Sequence, residues 1–159
     1  HDIARSARTY GLAGYIVVTP LENQSVSVRR IVAHWQDGYG ATANPLRGAA
    51  LSVLVMVANV QDACAEIQRR TGQPPLVVAT TAATRSGQIH FSAIPTLVGQ
   101  STRPLLFVLG TGWGLAEEVL AAADAVLAPI AGPTDYNHLS VRSAAAILLD
   151  RIFSMREEH

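Results

Sequence analysis

Apolar residues fall along this chain in short unbroken runs: "YIVV" (15–18), closed by Pro20, "LSVLVMV" (51–57), "PLVVAT" (75–80), "PLLFVL" (104–109) and "DAVLAPI" (124–130). Runs of that length without alternation predict strands buried on both faces. Between them the apolar spacing changes to that of helices. "DIARSARTY" sets Ile3, Ala7 and Tyr10 on one face, with Asp2 as its N-cap and Gly11 as its stop. "SVSVRRIVAHW" aligns Val28, Ile31, Val32 and Trp35, and Asn59 is placed to cap "VQDACAEIQRRTG". In that helix Asp62 lies near the positive end, Arg69 and Arg70 near the negative end, and Gly72 ends it. "FSAIPTLVGQ" predicts a weaker helix interrupted by Pro95, "LAEEVLAAA" another, and "LSVRSAAAILLDRIFSM" a long closing helix. "QDGYGATANPLRG" (36–48), rich in Gly, Asn and Pro, reads as a long functional or mobile loop.

Strands alternating with helices predict an α/β fold with a parallel sheet covered by helices on both faces. Ligands of such sheets bind beyond the carboxyl ends of the strands. The 159 residues suit one domain with one core, spanning 1–159. Its opening on His1 rather than Met predicts a trimmed domain that lacks an N-terminal strand. A hydrophobic content of 49% against 15% charged residues argues against disorder. No apolar run reaches membrane-helix length, so a soluble protein is expected.

Charge and cysteine narrow the chemistry. Twelve basic and twelve acidic residues cancel, so any contact with nucleic acid must be local. Every basic residue is arginine, which removes a Walker lysine and a Schiff-base lysine. The lone Cys64 sits in an amphipathic helix as a small buried side chain, and a reducing cytoplasm fits a chain without disulfides. The five histidines, His1, His34, His90, His138 and His159, show no i, i+4 pairing, so no metal site is expected.

The stretch "PLLFVLGTGWGL" carries Gly110, Gly112 and Gly114 from a strand into a helix. A dinucleotide fingerprint would place its third glycine at Leu115 and would open the first strand-helix unit, so a nicotinamide site is disfavoured. A tight turn needs one glycine. Three of them around Trp113 point to backbone approaching a flat ligand.

Downstream, "DAVLAPIAGPTDYNHLSVRSAAAILLDRI" (124–152) resembles the C-terminal region of the SPOUT class of RNA methyltransferases. "HDIARSARTYG" is similar to the first motif of the SpoU-type enzymes, with Arg5, Tyr10 and Gly11 on its arginine, aromatic and glycine. Together with "VVTP", "HWQDGYG", "NPLR" and "LGTGWGL", these stretches resemble a bacterial family of α/β-knot methyltransferases acting on RNA, over nearly the whole chain. The resemblance implies a C-terminal trefoil knot, a homodimer, S-adenosylmethionine as cofactor, and tRNA or rRNA as substrate. Two departures matter. The SpoU-type glutamate of the glycine loop is missing from "GTGWG", and Ser140 stands where those enzymes have an asparagine, with Asn137 three residues earlier. Ribose 2′-O specificity is therefore not carried over, and base and ribose both stay open.

On this reading the cofactor is held by Leu109, Gly110, Gly112, Trp113 and Gly114, by Ile130 and Gly132, and by Asn137, Leu139 and Ser140, with Thr80 and Thr81 closing the neighbouring strand end. Arg5 is the leading catalytic candidate, orienting the acceptor or stabilising an oxyanion, against the alternative of an exposed arginine paired with Asp2. Asp135 is either a general base or a helix cap, and Ser140 completes the catalytic candidates. Arg5, Arg8, Arg29, Arg30 and Arg47 are candidates for RNA phosphates, against a reading as scattered solvated arginines. From a different class, a catalytically inactive nucleotide- or RNA-binding module of the same fold is the alternative function.

Overall fold

The computed structural model describes residues 1–154, which form two compact units, His1–Ala63 and Cys64 onward. Met155, which the apolar pattern assigns to the last helix, and His159 lie outside the described residues.

The first unit opens with helix α1 (Asp2–Thr9), whose Ala4 and Ala7 are buried. Asp2 is its first residue rather than its N-cap, and Gly11 ends the segment at φ 67°, where a side chain would be strained. Strand β1 (Tyr15–Val18) and strand β2 (Leu54–Val57) pair in parallel, Tyr15 beside Leu54 and Val18 beside Val57. Their unbroken apolar runs predict full burial, yet their side chains stay half-buried or, at Val18, exposed. In a two-stranded ladder each strand is an edge.

The crossover between β1 and β2 contains helices where a long loop is expected. After α2 (Glu22–Gln36) come two short helices, α3 (Tyr39–Ala43) and α4 (Pro45–Leu51). Asn44 caps α4 by accepting a hydrogen bond from the Arg47 N–H at 3.1 Å, and Pro45 opens the helix where its missing N–H costs nothing. The glycines are there for contact. A Cβ at Gly48 would lie 2.5 Å from the Trp35 carbonyl oxygen, and one at Gly40 would lie 2.6 Å from the Trp35 ring. The "LSV" of 51–53, expected in the strand, is the end of α4 and a turn.

Helix α5 (Val60–Thr71) leads into the second unit and has the predicted signals. Asn59 accepts from the Asp62 N–H at 2.7 Å and donates back to its carboxylate at 2.9 Å. Arg69 and Arg70 both bind Glu66, and Gly72 ends the helix at φ 78°.

Three parallel strands follow in the order β4 (Leu105–Val108), β3 (Leu76–Thr80), β5 (Ala125–Leu127). On the central strand Val78 and Ala79 are fully buried. A 3-10 turn (Phe91–Ala93) runs into α6 (Ile94–Gly99), where Pro95 stands in the first turn and so starts the α-helix instead of interrupting it. Helix α7 (Glu117–Ala122) and the closing α8 (Val141–Ser154) complete the unit, α8 burying Ala145, Leu148, Leu149 and Ile152. The chain is thus an α/β protein with parallel strands. No helix among the described residues is long and apolar enough to cross a membrane.

Candidate functional site

Parallel register brings three strand ends together. Ala79 sits beside Val108 and Thr80 beside Leu127, so the loops leaving β3, β4 and β5 emerge on one side of the sheet. There they enclose a cavity of about 340 Å³. That volume lies in the range of small-molecule sites.

Each loop contributes predicted residues. Thr80 and Thr81 come from β3, with the Thr80 hydroxyl donating to the Val108 carbonyl at 3.0 Å and so tying two strand ends together. Leu109, Gly110, Gly112 and Gly114 come from the loop after β4. Ile130 follows β5, and Asn137 and Leu139 lie on the turn into α8. The Asn137 amide donates to the Ala82 carbonyl at 3.0 Å, fastening that turn to the loop after β3.

The three glycines of the β4 loop have separate reasons. A Cβ at Gly110 would lie 2.6 Å from the Leu115 nitrogen, inside the backbone of its own loop. Gly114 stands at φ 80°, in the left-handed region, and its N–H donates to the Thr111 carbonyl at 2.5 Å. Gly112 has neither constraint: it lines the cavity, and no atom lies within 4 Å of where its Cβ would stand.

Other predicted residues lie off the cavity lining. Trp113 has its side chain fully in solvent, and Gly132 and Asp135 are exposed. Ser140 caps α8: its hydroxyl accepts from the Ser143 N–H at 3.2 Å, and its carbonyl accepts from Ala144 at 2.9 Å. Residues that sequence reasoning missed include His138, between two chosen neighbours, and Phe91, Leu127 and Leu148, which add an apolar wall. His138 was within reach of the turn argument. Phe91 carried no local signal, because its place is set by tertiary packing.

The lining contains no Asp, Glu, Arg or Lys side chain; its polar groups are threonine hydroxyls, the Asn137 amide, the His138 ring and the backbone. Beside it, Arg85 from the loop after β3 makes a two-pronged ion pair with Glu117 in the first turn of α7. That hydrogen-bonded pairing lowers the Glu117 carboxyl below its ordinary range and raises the arginine. On α5, burial pushes the Cys64 thiol up, with the charge of Asp124 adding to it, which keeps the free thiol protonated.

The candidate RNA-binding arginines all lie in the first unit. Arg5 and Arg8 are exposed on α1. Arg29 pairs with Glu22, Arg30 is exposed, and the Arg47 guanidinium stacks 4.5 Å from the Trp35 ring centroid. Among the described residues no three His, Cys, Asp or Glu gather as a metal site would require.

Residues 1–154 match the family model described as SAM-dependent RNA methyltransferase. The chain belongs to this family. Among its relatives are two proteins named tRNA (guanine-N(1)-)-methyltransferase. The one from Oleidesulfovibrio alaskensis is 43% identical and the one from Nitratidesulfovibrio vulgaris 46%, each over 96% of the chain. The chain spans only 35% of the length of either. An uncharacterized Aquifex aeolicus protein is 36% identical over 97% of the chain and 75% of its own length. Solved structures share the fold. TrmJ from Z. mobilis aligns with a TM-score of 0.64 at 18% identity, over 95% of this chain and 61% of that one. The A. aeolicus TrmH/SpoU tRNA modifying enzyme aligns with a TM-score of 0.62 at 19% identity, over 99% of this chain and 68% of that one.

Proposed function

We propose that this chain binds S-adenosylmethionine in the cavity at the ends of β3, β4 and β5 and methylates RNA. The observation that carries the reading is the convergence of three strand-end loops and the turn into α8 on one cavity whose lining has no Asp, Glu, Arg or Lys. The glycine loop after β4, the loop after β5 and the turn into α8 are the segments that the SPOUT resemblance assigns to the cofactor. The lining fits the group. Main-chain N–H and C=O groups of Leu109, Gly110, Thr111, Gly112, Ala128 and Ile130 can bond adenine and ribose edges. Open space at the Gly112 Cβ position is space for a ligand.

The bound cofactor supplies a methyl group activated by its sulfonium. The chain supplies position: Thr80 and Asn137 fix the loops, Phe91, Leu127 and Leu148 exclude water, and His138 is a polar ring able to take or give a proton. By motif, Arg5 orients the acceptor phosphate or steadies developing charge. Asp135 remains a candidate base, and Arg8, Arg29, Arg30 and Arg47 candidates for phosphate contact. By the same resemblance we take the chain to be a cytoplasmic homodimer with a C-terminal trefoil knot. The guanine-N1 name describes whole relatives of which about two thirds lies outside the match, room for a further domain. Methyl transfer to RNA is therefore carried over to this chain and the choice of base is not.

Calorimetric titration tests the site. S-adenosylmethionine should bind once per chain, NAD should not bind, and Gly112→Leu should abolish the binding. Labelled methyl should then pass to tRNA or rRNA and be lost with Arg5→Ala. A folded protein that binds no S-adenosylmethionine would overturn the proposal in favour of an inactive module.

A further inference from the structure

Trp113 takes no part in the cavity lining, yet Gly112 before it and Gly114 after it do. Its side chain is 104% exposed, the most open large apolar residue of the described chain. An indole left in water forgoes the burial that normally makes tryptophan favourable in a fold. The backbone beneath it is pinned: Gly114 donates to the Thr111 carbonyl at 2.5 Å, and Gly110 packs against Gly114 and Leu115. The ring is therefore projected from a constrained turn beside the candidate site. A second exposed ring, Tyr136, stands edge-on to His138 with 5.2 Å between centroids, and His138 lines the same cavity.

We propose that Trp113 is a stacking platform for a nucleobase of the RNA substrate, a positioning residue that holds the strand while the acceptor enters the cavity. This rests on the RNA methyltransferase reading above. Unpaired bases offer a flat face to aromatic rings whatever their sequence, and stacking needs no charge. That suits a chain with zero formal net charge and a cavity without charged side chains. A second copy of the chain fits the indole less well. Around Trp113 the loop offers Thr111, Gly112 and Gly114, and among the described residues of the second unit the other exposed large apolar side chains are Tyr136 and Leu139. A stable subunit contact needs a broader apolar core.

The test titrates the wild type, Trp113→Phe and Trp113→Ala with unfractionated tRNA, with a short mixed-sequence RNA and, separately, with S-adenosylmethionine, and follows indole fluorescence and sedimentation. The alanine variant should bind RNA about tenfold more weakly. The phenylalanine variant should lose less, and both should keep wild-type affinity for S-adenosylmethionine and wild-type sedimentation. RNA should quench the fluorescence of wild type and of Trp35→Phe but not that of Trp113→Phe. Unchanged RNA affinity and quenching in the variants would overturn the proposal and leave the function standing. A shift of Trp113→Ala to a smaller species, with RNA binding lost alongside, would make the indole a contact between copies instead. A wild type that binds S-adenosylmethionine but no RNA would overturn the platform and the RNA reading together.

Discussion

A methyl group on Gly110 would have to occupy a place 2.6 Å from the Leu115 nitrogen and 2.7 Å from the Gly114 carbonyl oxygen. Both neighbours are backbone atoms in a turn closed by its own hydrogen bond, so neither can swing aside as a side-chain end would. Gly110→Ala should therefore destabilise the protein by about 1–3 kcal/mol, the cost of overpacking with backbone movement, read from urea unfolding. Gly112 is the contrasting position, since nothing lies within 4 Å of its Cβ site. Gly112→Ala should change stability by less than about 0.5 kcal/mol. Equal losses in the two variants would mean that the loop needs every glycine for its own path and reserves none for a ligand.

At the scale of elements, α3 and α4 show how local chemistry and tertiary contact divide the work. Asn44 supplies a cap, and Asn44→Ala should cost about 1 kcal/mol. Gly48→Ala should cost more, because its Cβ would meet the Trp35 carbonyl oxygen at 2.5 Å and force α4 away from α2. Urea melts of the two variants separate the effects, and a milder Gly48→Ala would mean that α4 can slide on α2. This segment also shows where sequence reading stops. The strands, α5 with its Asn59 cap, and α8 were legible because each carries a local pattern: an apolar run, a cap followed by an acidic first turn, or helical spacing. Residues 36–48 read as a loop because Gly, Asn and Pro mark loops when taken singly. Their reason is close approach to Trp35, which no neighbouring residue announces, although Asn44 followed by Pro45 was a helix-start signal in plain sight.

The same distinction applies to the helix ion pairs. Hydrogen bonds from Arg69 and Arg70 hold the Glu66 carboxyl down to about 2, against an ordinary 4.5. A lowered folded-state value stabilises the fold above the unfolded one and is lost as pH falls through the folded one. The stability advantage of wild type over Glu66→Gln should therefore be complete above about pH 4.5 and shrink toward pH 2. High salt should shrink it too, since the arginines are exposed. An advantage that stays flat across that pH window would mean that the pairing is not kept in solution.

At the scale of the whole molecule, the candidate site was legible as three separate stretches of sequence, and the parallel register of β3, β4 and β5 makes them one. Spacing along the chain could nominate Thr80 and Thr81, the glycine loop, and the segment from the last strand into α8. It could not tell that Trp113 points outward while Leu127 and Leu148 wall the cavity, because those facts depend on which strands are neighbours. A ligand that uses this convergence must stabilise the folded chain by mass action, by about 2.7 kcal/mol at a hundredfold excess over its dissociation constant. For a protein of this size that corresponds to a rise in Tm of roughly 5–10 °C. Hydrogen exchange would then show where the stabilisation arises. S-adenosylmethionine should slow exchange in residues 80–82, 109–114 and 128–141 together, at one ligand concentration, because the three segments are walls of one cavity. Protection of 109–114 alone would mean that the glycine loop binds by itself and that the geometry of the strand ends is incidental. Protection of all three with a concentration-dependent Tm would tie the parallel register directly to cofactor binding.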